Sequence, residues 1–335
     1  MIRLIAFRRH LGTAAWVAAL LVVAAACELP FQLGQPTTRE LETGADLLAT
    51  ATSFTLRGTY ADSTGTHWTI SAVFVRPDRE DVVVAGPGAK VEAILIGSQA
   101  YFQGQAFLAQ HMGSDALSQT LVEAAGNAWW KGSTELAPQL PDLITGPAFR
   151  STFLGSAVIQ RTDHVSIDGL EATELSGPRA DVYIRAAPPH YLLRVRTKKG
   201  VVVDGLAEPD LEYGNFNRRS TEITAPSDVI DFSNLTTLPP IYSVVSVDTS
   251  RCASPCVVSA RLKNLGGLFG ATAPSTVAFT MKASVSGTMI GTCSVQVTPD
   301  VGYNATTSVS CTITLSGQPE NAAVVTATAT NPGRA

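Results

Sequence analysis

The chain has 335 residues, 45% hydrophobic and 16% charged, with 24 Lys and Arg against 28 Asp and Glu. A net charge of −4 without any basic run excludes nucleic acid as a partner on electrostatic grounds. Ala, Gly, Thr and Val abound and alternating patterns outnumber helical ones, so mainly β structure is expected.

The amino-terminus reads as an export signal. Arg3, Arg8 and Arg9 form a positive start, Leu11 to Val23 an apolar stretch, and Ala24-Ala25-Ala26 a small-residue cleavage site before Cys27. The stretch is shorter than the roughly 20 residues that cross a bilayer. Val23 to Cys27 resembles the lipobox of bacterial lipoproteins. That resemblance implies that residues 1–26 are a signal peptide and that Cys27 carries a diacylglyceryl group. Two acyl chains matter because one alone anchors only marginally. The other reading is plain secretory cleavage with Cys27 left as a free thiol. Loss of the leader removes three arginines and no acid, which moves the net charge from −4 to −7 over 309 residues. No later apolar run has spanning length, so the body is expected outside the cytoplasm, tethered to the outer face of the cell membrane. Residues 27–37 then form the lipidated cysteine and its tether.

Thr37 to Glu40 has capping-box spacing, which predicts a helix over about 38–51. Strands are expected at Ser53 to Tyr60 and at His67 to Val75, where Trp68, Ile70, Ala72 and Phe74 share one face. Further strands are expected at Glu80 to Val84, Val91 to Ile96 and Gln99 to Phe102. Ser114 is the expected cap of a helix carrying Leu117, Leu121 and Ala125 and closed by Gly126. Trp129-Trp130, a Pro-rich stretch and a second helix near 147–155 follow. Strands resume at 157–162, 170–176, 180–186, 191–197, 200–205 and roughly 209–224. Three prolines in 226–240 place a domain boundary near 239.

From 241 onward, short Val, Thr and Ser-rich runs alternate with turn signals, the texture of a small β-sandwich. Four of the five cysteines lie here, at Cys252, Cys256, Cys293 and Cys311. In an exported chain an even set reads as disulfides. Cys252–Cys256 with Cys293–Cys311 is the expected pairing of the three possible, because the first two bracket a turn and the others sit in successive strand-like runs. A four-cysteine zinc site is the alternative, against which export and irregular spacing argue.

Residues 38–239 resemble the mycobacterial lipoproteins of the LppX/LprG type, related in fold to the carrier LolA. The matching stretches are the opening helix into Ser53 to Gly58, Val75 to Arg79, Val91 to Tyr101, Trp129-Trp130, Ile167-Asp168-Gly169, Asp181 to Arg196 and Asp210 to Phe232. The resemblance implies a strongly curved antiparallel sheet with helices on its concave side and a cavity for lipid acyl chains between them. On that reading the candidate wall residues are Trp68, Ile70, Phe74, Leu95, Ile96, Val182, Ile184, Leu193 and Val195, with Leu117 and Leu121 from the covering helix. The same residues equally suit a solid core. Residues 240–335 resemble more loosely the CARDB-like and FxLYD-like sandwiches, through Val257 to Asn264 followed by Gly266-Gly267. Such domains make protein contacts or act as spacers.

Catalysis finds no support. His67, His111, His164 and His190 are scattered, and no nucleophile elbow, H-E-x-x-H or P-loop is present. Trp129-Trp130 suits either a cavity mouth or a core cap, and the Arg194, Arg196, Lys198 and Lys199 face suits lipid headgroups or plain solvation. The expectation is a non-enzyme without cofactor or metal that binds or carries lipid. The alternative is a structural lipoprotein of the cell envelope whose sandwich docks to a protein partner.

Overall fold

A computed structural model describes residues 36–145, 151–155, 158–218, 222–253, 255–315 and 323–334. The signal peptide, Cys27, most of the tether and the first half of the helix expected at 147–155 lie outside the described residues. Strands account for 47% of the structure and helices for 15%, in antiparallel sheets that include a large curved one, so the chain is mainly β as expected.

Two short helices open the described chain, α1 (Thr38–Ala45) and α2 (Leu47–Thr50). The capping box is formed: Thr37 N donates to Glu40 Oε2 at 2.7 Å and Glu40 N to Thr37 Oγ1 at 3.2 Å. Asp46 interrupts the single helix that periodicity predicts. Strands β1 (Ser53–Ala61), β2 (His67–Val75), β3 (Arg79–Gly86), β4 (Ala89–Ile96) and β5 (Gln99–Gln103) follow. Helix α3 (Gln105–Met112) has no counterpart in the sequence reading, since Gly104 supplies no side-chain cap and only Leu108 is buried. Next come α4 (Ala116–Ala125), β6 (Trp130–Gly132) and α5 (Pro141–Ile144). Asp115, not Ser114, caps α4, accepting from Leu117 N and Ser118 N. Strands β7 (Gln160–Ile167), β8 (Leu170–Ser176), β9 (Ala180–Arg185), β10 (Leu192–Thr197), β11 (Val202–Val203) and β12 (Leu206–Gly214) come next. The last six are β13 (Tyr242–Asp248), β14 (Cys256–Asn264), β15 (Thr276–Ala283), β16 (Met289–Gln296), β17 (Thr306–Leu315) and β18 (Ala323–Thr330).

The chain divides into two compact units, one holding residues up to Ala49 with Ile144–Val195, the other Thr50–Leu143 with Arg196–Ala335. In the first, β7, β8 and β9 pair antiparallel, and α1 packs on β9. Leu41, Leu48, Phe153, Leu175, Val182 and Ile184 are fully buried. Gly44 touches the His190 backbone so closely that a Cβ would stand 2.5 Å from its carbonyl oxygen.

In the second unit the strand path runs β6-β5-β4-β3-β2-β1-β12, antiparallel throughout. Cross-strand pairs Leu56↔Ala72, Ala72↔Val82, Val82↔Ala93 and Ala93↔Phe102 put small and aliphatic residues in one row. Helices α3 and α4 cover this face, with Phe102, Leu108, Leu121, Val122, Trp130 and Ile241 in one cluster.

The carboxy-terminal strands form a β-sandwich with its own core of Val258, Leu262, Val277, Phe279, Met281 and Ile313. Strands β13, β14 and β17 make one side and β16, β15 and β18 the other. The two sides are joined only by the pairs Gly291↔Leu315 and Thr292↔Thr314. The disulfides are Cys252–Cys256 and Cys293–Cys311. Asn264, wholly buried, explains the Asn-x-Gly-Gly pattern at its turn. Its Oδ1 accepts from Ile241 N and Gly266 N, and its Nδ2 donates to Gly267 O and Val301 O. Glycine is required beside it, because a Cβ at Gly266 would lie 1.9 Å from Pro239 O and one at Gly267 2.1 Å from Thr236 O.

Candidate functional site

The site begins with a turn. Between β1 and β2, Asp62 Oδ1 accepts from Thr64 N, Thr66 N and Thr64 Oγ1 at 2.8, 3.0 and 2.6 Å. Its second oxygen accepts from the Trp68 indole Nε1 at 3.0 Å. On the other side the indole lies flat on Gly86, where a Cβ would stand 2.4 Å from the ring. Trp68 is thus held by a carboxylate and by the absence of a side chain.

Trp68 and its cross-strand partner Tyr60 form the mouth of a pocket of about 260 Å³. Val82, Val84, Val91, Ala93 and Phe102 make its floor, with Phe107 of α3, Leu136 and Pro138 on the opposite side. The walls are apolar and the polar groups are confined to the rim. Hydrogen bonds from Thr64 and Trp68 hold the Asp62 carboxyl down at about 2, so it is ionised at neutral pH. Burial, with Asp62 nearby, pushes the Tyr60 phenol up, so it stays protonated. Behind the floor Trp130 is 2% exposed and stacks among Phe102, Phe107, His111 and Phe232 at 4.9 to 6.4 Å. Its indole N–H finds no acceptor among the described residues.

Two larger concavities are polar. One of about 620 Å³ on the other face of the same sheet is lined by Asp81, Asn215, Arg218 and Glu222 beside Val73 and Ile94. Another, of about 530 Å³ and wide open, lies against Arg39, Glu40, Thr43 and His190. Apolar chains have the least to gain from either, because hydrophobic burial scales with apolar area covered.

The predicted wall residues do not form one surface. Trp68 lines the pocket, Ile70 and Phe74 are buried on the same sheet face, and Leu95 packs against the aromatic cluster. Leu121 is in that cluster too. Ile96 cannot share a wall with Leu95, because successive strand residues point to opposite faces. Leu117 is 57% exposed, since α4 buries only residues of its later turns, Leu121, Val122, Ala124 and Ala125. Val182, Ile184 and Val195 are wholly buried in the first unit. Leu193 joins Ala172 and Tyr183, and Tyr183 alternates with Val182 and Ile184 along β9, so the wall expected of β9 and β10 is not a single face. Trp130 is core and Trp129 half-buried. Arg196 is paired with Asp210 at 3.1 Å.

Sequence reasoning passed over Tyr60, Asp62, Val82, Val84, Phe102 and Phe107. The first five were within reach: Val82 and Val84 alternate along β3, and the Asp-Ser-Thr-Gly turn at 62–65 aims a carboxylate back at its own hairpin. Phe107 was not, because its helix carries no stripe. Among the described residues no group of three His, Cys, Asp or Glu side chains is placed to hold a metal ion, and no helix is long and apolar enough to cross a membrane.

No protein-family model and no curated protein matches the chain. Among solved structures, the crystal structure of MucB in complex with MucA(peri) aligns over 74% of this chain and 87% of that one, at 11% identity and a TM-score of 0.25. A superposition that loose carries no argument about what this chain binds.

Proposed function

We propose that the protein is a membrane-tethered, extracytoplasmic lipoprotein that holds a lipid acyl chain in the pocket under α3, without covalent chemistry. The observation that carries this reading is the segregation of the lining: aliphatic and aromatic walls inside, with Asp62, Tyr60 and the Trp68 indole N–H at the rim. An acyl chain gains about 25 cal/mol for each Å² of apolar surface withdrawn from water. At about 260 Å³ the pocket is smaller than the roughly 300–1,000 Å³ of most ligand sites, so it receives one chain end and leaves the headgroup outside.

The test is native mass spectrometry of the full chain, exported under its own signal and purified without detergent. A stoichiometric, extractable acyl mass that disappears in Ala93→Phe, which fills the floor, is the expected result. An unchanged mass after incubation with phosphatidylglycerol vesicles and free palmitate sinks the reading. The same spectra weigh the mature amino-terminus and so report directly whether Cys27 carries the anchor.

A further inference from the structure

Sheet edges attract strands, and folded proteins protect them with short strands, bulges, charge or a covering segment. Three of the terminal strands here are protected. Strand β6 has three residues, includes Lys131, and is bridged by Ile230, whose N donates to Trp129 O and whose O accepts from Lys131 N. Strand β7 has an irregular register between Thr162 and Val165 and carries Arg161, Asp163 and His164. Strand β13 has an irregular register between Val244 and Ser246 and ends on Asp248.

Strand β18 has none of these devices. Its eight residues, Ala-Val-Val-Thr-Ala-Thr-Ala-Thr, contain no charge and no proline. They run in unbroken register with β15, from Thr330↔Thr276 to Ala323↔Ala283. Among the described residues no strand pairs with the other edge. The core also stops one strand short. On β15 the inward residues Val277, Phe279 and Met281 are buried, whereas their partners Ala329, Ala327 and Val325 on β18 are only half-buried. Across the seam Val244 and Val247 of β13 are half-buried as well. At one end a side chain stands where a backbone would: the Asn331 carboxamide accepts from Tyr242 N at 2.8 Å and donates to Tyr242 O at 3.1 Å.

We propose that the free edge of β18 is a protein-binding site that takes an extended segment of a partner by strand addition. The backbone of the segment completes the ladder, and its alternate apolar side chains cover Val325, Ala327 and Ala329. The occupant must be an extended peptide, because the unmet groups are main-chain donors and acceptors at strand spacing and the adjoining side chains are small and apolar. This site is separate from the acyl pocket and does not depend on it.

The probe is a soluble peptide of alternating valine and threonine with a lysine at each end. Its control is the same peptide N-methylated at alternate backbone nitrogens, which cannot form the ladder. Hydrogen exchange in the full chain is expected to slow about tenfold over 323–330 with the parent peptide and not with the methylated one. Ala327→Lys, an inward charge of the kind that guards natural edges, is expected to abolish the effect, while Thr328→Lys on the outer face retains it. Absence of slowing, equal slowing by the methylated peptide, or slowing at β13 instead overturns the proposal. So does a concentration-dependent dimer that A327K dissolves, which would assign the edge to a second copy of this chain.

Discussion

Asp62 organises the pocket mouth through geometry that titrates. Its carboxyl sits at about 2 because Thr64 and Trp68 donate to the ionised form. A depressed value stabilises the fold at every pH above the ordinary 3.8, and the contribution is lost as pH falls through about 2. The Trp68 Nε1–H resonance should therefore hold its bonded position through pH 4 and move only near pH 2. In Asp62→Asn, which cannot ionise, the same resonance should be flat over that range. A midpoint near 4, or an unchanged titration in D62N, would show that the latch is not what orients the indole. Asn264 is organising in a different way. Its four hydrogen bonds need a carboxamide, with two donors and a two-lone-pair oxygen, and neither Asp nor Leu offers both. That is why the residue and its glycines stand out in the sequence.

At the scale of elements, α4 depends on a strap from far along the chain. The carbonyls of the last turn of a helix need outside partners. Arg334 N supplies one for Ala124 O at 3.0 Å, while Gly333 passes so near Glu123 O that a Cβ there would be 2.3 Å away. The Arg334 guanidinium, 10% exposed, donates to Asp228 O and Thr237 O and pairs with Asp228 at 2.6 Å. Arg334→Ala removes charge-assisted bonds worth about 1.5–3 kcal/mol each before compensation by water. The variant should lower the urea midpoint and speed exchange at Val122 to Gly126, leaving β15 and β18 unchanged. Uniform destabilisation would show that the strap has no particular hold on α4. None of this was legible beforehand, since a lone arginine after Asn-Pro-Gly reads as a solvated tail. Strands β2, β8 and the capped start of α1 were legible, because alternation and capping are local. Helix α3 was not, because its burial is decided by the sheet it covers.

For the molecule as a whole, the sequence told where the cysteines would cluster but not where a cavity would open. Disulfide pairing follows from strand neighbourhood, which alternation reveals, whereas a cavity depends on which of several apolar faces stay incompletely filled. The bonds carry a prediction for the chain's oxidation state. In the loop-entropy model a closed loop restricts the unfolded chain in proportion to the logarithm of its length. Cys293–Cys311, 18 residues apart, should contribute about 3 kcal/mol and Cys252–Cys256, four apart, about 2. The longer loop also ties β16 to β17, where the ladder has only two register pairs. The double variant Cys293→Ala with Cys311→Ala should therefore lose more stability in urea than Cys252→Ala with Cys256→Ala. It should also expose β16 and β17 to exchange before β14. Dithiothreitol should reproduce the larger loss in the unmodified chain. Equal losses in the two variants would mean that the bonds act on strain or packing rather than on the freedom of the unfolded chain. No loss in either would mean that the sandwich core stands without them.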